Sequence, residues 1–203
     1  MQGVFGGMLS VRPGGAGWRW IMEYLAQVIS MAGGADSGIV SEFSEIQTVA
    51  GRDLPEDYKR LVSACGPLAS TDRQLSIYDL SDRVGGVAQE FEELMGPIAY
   101  YADFFDYINI ESKDGEKFVD SEVFLKADPR SIIPIGTFFN DHLALFCEPE
   151  TGSWSVMVVA GSYWVQYEVG ISEFLFKVFD GDVELPRSDG WPGAEVRLEI
   201  DID

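Results

Sequence analysis

The chain predicts an α+β fold, and three observations carry that reading. Apolar residues recur at helical spacing through most of the first half. From Lys117 onward they alternate in the manner of strands, and the two patterns stay segregated along the chain. Residues 153–180 then specify a hairpin, its register and a following helix. Ala160-Gly161-Ser162-Tyr163 reads as a two-residue turn in which Gly161 takes the positive φ of a type II′ turn. That turn pairs Ala160 with Tyr163 and sets every other cross-strand partner. One face then carries Trp154, Val156, Val158, Val165, Tyr167 and Val169, a core face with Val158 and Val165 buried opposite one another. The other carries Ser155, Met157, Val159, Trp164, Gln166 and Glu168.

The remaining elements follow in chain order. Met1–Gly17 is rich in Gly and reads as frayed or extended. Trp18, Ile21, Met22, Leu25, Val28 and Ile29 mark a first amphipathic helix that ends at Gly33-Gly34. A second helix is expected from about Ser37, with Val40, Phe43 and Ile46 on one side. The third has the clearest signals: Pro55 suits a first turn, Glu56 and Asp57 complement the positive helix end, and Gly66-Pro67 stops it. Its buried side is Leu54, Tyr58, Leu61, Val62 and Cys65.

Leu75–Leu80 reads as a short strand. Val84, Val87, Ala88, Phe91, Leu94 and Met95 mark a further helix, closed at Gly96-Pro97. Tyr100–Ile110 fits either helix or strand, and the helix is the preferred reading. The strand-patterned half comprises Phe118–Val119, Val123–Leu125, Ile132–Ile135 and Leu143–Cys147, with a type I turn at Pro149-Glu150-Thr151-Gly152 before the hairpin. After it, Ser172 is placed to cap a helix, with Ile171 and Phe176 as a hydrophobic staple. Phe174, Leu175, Val178 and Phe179 form that helix's buried stripe, and Gly181 ends it. Within Ala194–Asp203, Val196, Leu198, Ile200 and Ile202 alternate with charges, as in an edge strand.

Composition narrows function. Of 203 residues, 46% are hydrophobic and 13% aromatic, enough for a packed core, so wholesale disorder is excluded. The net charge of −20 arises from 34 acids against 14 bases, spread along the chain. Such a molecule is repelled by nucleic acid and by anionic membrane. It steers towards a basic partner, although the same charge also serves solubility. Cys65 and Cys147 lie on apolar faces and read as buried free thiols. The N-terminus lacks the continuous apolar segment of a secretory signal, and no apolar run approaches the ~20 residues that span a bilayer. The expected location is the cytoplasm.

Chemistry is sparse. His142 is the single histidine, so no multi-histidine metal site can form, and any Ser-His-Asp or Cys-His arrangement would have to use it. Paired carboxylates could in principle hydrolyse glycosides, but 34 acids make adjacent pairs a matter of chance. Glycine-rich phosphate-binding motifs and EF-hand spacing are both missing from the sequence. The expectation is a protein that is not an enzyme and uses no cofactor or metal.

Leu54-Pro55-Glu56-Asp57-Tyr58-Lys59-Arg60-Leu61, ending in Gly66, resembles the LPxDY motif that opens an early helix of the SUKH superfamily. Ile133-Pro134-Ile135-Gly136, Leu143–Cys147, Trp154-Ser155-Val156 and Glu173-Phe174-Leu175 follow in the order seen there. The superfamily contains many bacterial immunity proteins and a fungal regulator of cell-wall synthesis. The resemblance implies an α+β fold, a mostly antiparallel β-sheet with helices packed on it, over residues 37–185. Residues 1–36 would be an extension with one helix and 186–203 an acidic tail. The helical insert near 82–110 is longer than the family carries. No catalytic residues transfer, because the family works by binding. The implied activity is neutralisation of a cognate toxin, a basic nuclease- or deaminase-type domain, by surface occlusion; the alternative is a regulatory or scaffold module of the same fold.

Trp164 stands among polar neighbours on its sheet face. It is either a partner anchor or a residue covered by the insert or the C-terminal strand. The acids assigned to its surroundings as partner-binding residues are Glu168, Glu148 and Glu150.

Overall fold

The computed structural model describes residues 16–35, 38–121, 124, 132–183, 185–186, 188 and 190–201. Its centre is a sheet of nine strands: β1 (Leu68–Ser70), β2 (Leu75–Ile77), β3 (Tyr107–Ser112), β4 (Gly115–Asp120), β5 (Ile132–Phe138), β6 (Asp141–Cys147), β7 (Trp154–Ala160), β8 (Tyr163–Tyr167) and β9 (Leu198–Ile200). They lie in the order β4-β3-β8-β7-β6-β5-β2-β1-β9. Every pairing is antiparallel except β3 with β8. Five helices join the sheet among the described residues: α1 (Ala16–Met31), α2 (Ser44–Ala50), α3 (Glu56–Cys65), α4 (Val87–Phe104) and α5 (Ile171–Asp180). The fold is α+β.

Alternation along the strands feeds two cores on opposite faces. The larger takes Leu143, Leu145, Val156 and Val158 from the sheet, against Leu25 and Val28 of α1, Tyr58, Leu61 and Val62 of α3, and Phe174, Leu175 and Val178 of α5. The smaller takes Ile108, Ile110, Phe146, Met157, Val159 and Trp164. Helix α4 serves both, giving Val87 and Phe91 to the larger and Ile98 to the smaller. The N-terminal helix and the tail strand are thus parts of the main packing unit. No helix among the described residues is long and apolar enough to cross a membrane.

The hairpin register agrees with the sequence reading: Ala160 faces Tyr163, Val158 faces Val165 and Val156 faces Tyr167. Gly161 has φ +58°, and Ser162 is not among the positive-φ residues, which makes the turn type II′. Val158 is fully buried, whereas Val165 is only half-buried, because a cleft opens beside it on that face. The expected burial of α3 holds at Leu54, Tyr58, Leu61, Val62 and Cys65. Cys65 and Cys147 are buried free thiols.

Several boundaries differ from the sequence expectation. Helix α2 starts at Ser44 rather than near Ser37 and leaves Val40 exposed. Its first turn is held by Asp82, whose carboxylate accepts the N–H and hydroxyl of Ser44 and the N–H of Glu45 at 2.7–3.0 Å. Helix α4 continues through Gly96-Pro97, both exposed, because Ile98 beyond them is anchored in the smaller core. Tyr107–Ile110 is strand, not helix: Ile108 and Ile110 alternate into that core between β4 and β8. The short strand β1 carries no periodic signal over its three residues. Of the strand expected at Val123–Leu125 only Phe124 is described, and it is helical rather than extended; Val123, Leu125, Ile202 and most of Met1–Gly17 lie outside the described residues.

The N-terminus of α5 corrects a further expectation. Ser172 is not the cap; the helix begins at Ile171, with Gly170 before it and no side-chain cap of its own. The carboxylate of Asp57, on α3, accepts the N–H of Ser172 at 3.2 Å and that of Tyr58 at 2.9 Å. A Cβ on Gly170 would come within 2.5 Å of the Asp57 carboxylate, so only glycine admits this approach. Gly136 is required for a similar reason, since a Cβ there would fall on the Ser76 carbonyl at 1.9 Å.

Burial pushes the Asp57 carboxyl above its ordinary value, against the backbone N–H groups that favour its charge. A carboxyl raised on folding binds more protons in the native state, so its contribution to stability falls as pH rises from 3.8 through the folded value and is flat above it. Asp57→Asn should therefore gain stability relative to wild type as pH is raised from about 4 to 7. Asp57→Ala should lose about 1–3 kcal/mol, the cost of leaving buried N–H groups without an acceptor. Thermal and urea unfolding at several pH values measure both.

Candidate functional site

The row of side chains that contains Trp164 runs out of the smaller core through Gln166 to Glu168. Where apolar cover ends, a cleft of about 700 Å³ opens. Three elements form it at one end of the sheet. The β3–β4 turn supplies Ser112, Asp114, Gly115, Glu116 and Lys117; the end of β6 and the loop after it supply Glu148, Thr151 and Ser153; β7 and β8 supply Trp154, Ser155, Gln166 and Glu168. The β3–β4 turn reaches this position because Lys113-Asp114-Gly115 closes a tight hairpin, with Gly115 at φ +110°.

Electrostatics in the cleft are one-sided. Asp114, Glu116, Glu148 and Glu168 place four carboxylates around it, and Lys117 is the lysine lining it among the described residues. The ammonium of Lys113 pairs with Glu168, which raises the Lys113 pKa. The Gln166 amide donates to Ser155 Oγ at 3.0 Å and fixes the floor. These acceptors suit ammonium and guanidinium groups, which donate charge-assisted hydrogen bonds to carboxylates. Among the described residues no cluster of three or more His, Cys, Asp or Glu is placed to hold a metal ion.

On the opposite face a second cleft of about 460 Å³ runs between β3 and β8, with Glu111, Tyr163, Val165 and Tyr167 on its wall. Val165 is half-buried for this reason. The same face continues to Tyr107 and Phe118, 63% and 70% exposed. Together the two clefts and the bare outer strands make the β4 end of the sheet the least covered part of it.

Of the four residues assigned to partner binding from sequence, Glu148 and Glu168 meet in the first cleft. Glu150 is exposed in the neighbouring loop and does not line it. Trp164 is corrected. It is fully buried, packs edge-on against Phe124 at 5.8 Å, and donates its indole N–H to the Gly161 carbonyl at 2.8 Å. The covering alternative is what the structure shows, with Ile98 of the helical insert and Phe124 supplying the cover. Trp154, half-buried at the cleft wall, is the aromatic that lines the site. Asp114 and Glu116 were missed, and the Asp-Gly step at 114–115, a strong hairpin signal, could have located them. His142 is half-buried at the far end of β6 from Glu148, and burial lowers its pKa against the pull of Asp141.

Comparison with known proteins finds no family model, no curated protein and no solved structure that matches the chain.

Trp164→Ala should cost about 3–5 kcal/mol of stability, as for other buried aromatics. Calorimetric melting checks this, and an unchanged transition would return Trp164 to the surface.

Proposed function

We propose that this protein works by binding, as an immunity-type protein that occludes the basic surface of a cognate toxin. One observation carries the reading: a cleft with four carboxylates lies at the least covered end of the sheet, with the exposed aromatics Tyr107 and Phe118 on the opposite face of the same outer strands. Exposed aromatics rimmed by charge are frequent anchors of protein interfaces, and complementary charge raises the rate of encounter. The net charge of −20 acts in the same direction at longer range. A toxin that acts on nucleic acid presents a basic surface to phosphate, and an acidic protein seated on that surface blocks the substrate. The resemblance of Leu54–Leu61 to the opening motif of an early SUKH helix supports the immunity assignment from a separate part of the chain.

Where an adjacent gene encodes a basic toxin domain, co-expression with it should restore growth, and Glu148→Lys with Glu168→Lys should weaken that rescue without lowering the melting temperature. In stopped-flow mixing the association rate should fall as salt rises, because charges separated by more than about 8–10 Å are screened at physiological ionic strength. A rate that ignores salt removes the electrostatic part of the assignment, and no rescue by the wild type removes the toxin.

A further inference from the structure

We propose that β4 is a docking edge on which a basic, extended segment of the partner adds as a tenth strand; this rests on the binding reading above and names its mode of recognition. Among the described residues, strand β4 ends the sheet and has one neighbour, β3. Asn109 of β3 donates its N–H to the Ser162 carbonyl at 2.8 Å, away from β4. In an antiparallel ladder the residue opposite such a position also directs its own N–H and C=O away from the shared side. Phe118 is opposite Asn109, so its backbone groups point out of the sheet edge, and by alternation so do those of Glu116.

Side chains define the occupant. Glu116, Phe118 and Asp120 share one face of β4 and are exposed, with Glu111 and Tyr107 beside them on β3. An added strand with arginine or lysine at alternate positions would set cations against Glu116 and over the ring of Phe118, with the charge of Asp120 further along the same face. Its backbone would bond to β4 and its side chains would read the acid–aromatic–acid row.

A second copy of this chain fits the edge poorly. Two-fold antiparallel pairing centred on Phe118 sets Glu116 against Asp120 twice, and centring on Lys117 sets that lysine against itself and Asp114 against Asp120. Like charges directly opposite are destabilising. The Lys113–Glu168 pair and the acidic cleft lie at the same end of the strand, which extends the anionic surface along the path of a basic segment.

The test uses the full chain and two synthetic peptides of equal charge. One alternates arginine with valine; the other has proline in place of every second valine and cannot form a strand. The alternating peptide should bind about tenfold tighter or better, and on binding it should protect the amides of Glu116 and Phe118 from hydrogen exchange. Phe118→Pro removes an outward N–H without touching the β3 ladder and should abolish the difference between the peptides. Glu116→Lys, which leaves the backbone alone, should weaken binding of the alternating peptide and serves if the proline variant does not fold.

Equal binding of both peptides overturns the edge proposal while leaving charge-driven binding standing. Absence of binding by either overturns the edge proposal too, and the growth-rescue assay then judges the broader reading independently. Concentration-dependent dimers of the peptide-free protein that vanish in Phe118→Pro would make the occupant a second copy and overturn the basic-segment assignment.

Discussion

A single buried carboxylate ties two core helices of the molecule together. Asp57 sits in the first turn of α3, yet it also accepts the N–H of Ser172 in the first turn of α5, 115 positions later. Two positive helix ends converge on one acid, which satisfies N–H groups that the adjacent core would otherwise leave without an acceptor. Much else follows from that junction. Gly170 must lack a side chain for the approach to occur, α5 then lies with Phe174, Leu175 and Val178 against the sheet, and Tyr167 meets Phe174 at 5.1 Å. The position of β8, and through it of β3 and β4, depends on where that packing ends.

The sheet is covered unevenly, and the bare end is where the chemistry of recognition lies. Helices α1, α3 and α5 blanket the larger face as far as Tyr167. On the opposite face Ile98 and Phe124 close over Trp164 and stop before Gln166. Strand β4 and the turn that leads into it therefore lie beyond most of that cover, while Ile108 and Ile110 hold β3 in the smaller core. Polar and charged side chains fill the row once burial ceases, because an ionised group is expensive to bury without a partner. An acidic cleft on one side of the β3–β4 hairpin and an aromatic one, with Glu111 and Lys113 at its wall, on the other are the outcome.

Two helices of the fold take their caps from distant carboxylates, Asp82 for α2 and Asp57 for α5. A capping residue beside the helix is a local sequence signal, and a cap supplied from elsewhere is not. Ser172 looked like the local cap of α5 and is instead a donor within the first turn. Trp164 misled in a related way. Its neighbours along β8 are polar, but its neighbours across the sheet, Met157, Val159 and Ile110, are apolar, and those decide its burial. Two of the three acids read as belonging to a partner surface do share one cleft, because Glu148 and Glu168 end neighbouring regions of the sheet on the same face.

What the sequence by itself determined is what rests on contacts between residues close in the chain. The type II′ turn at Gly161 set the hairpin register, Pro55 and Gly66 bounded α3, and helical spacing named its buried side. Alternating apolar residues placed β9 at the tail. The tertiary structure alone decided the parallel pairing of β3 with β8, the passage of α4 through Gly96-Pro97, the shared role of Asp57 and the cover over Trp164. Each of these depends on groups tens of residues apart, whose free energy of meeting is set by the packing of the whole sheet. Local turn chemistry and hydrophobic period carry no information about which distant surface will arrive.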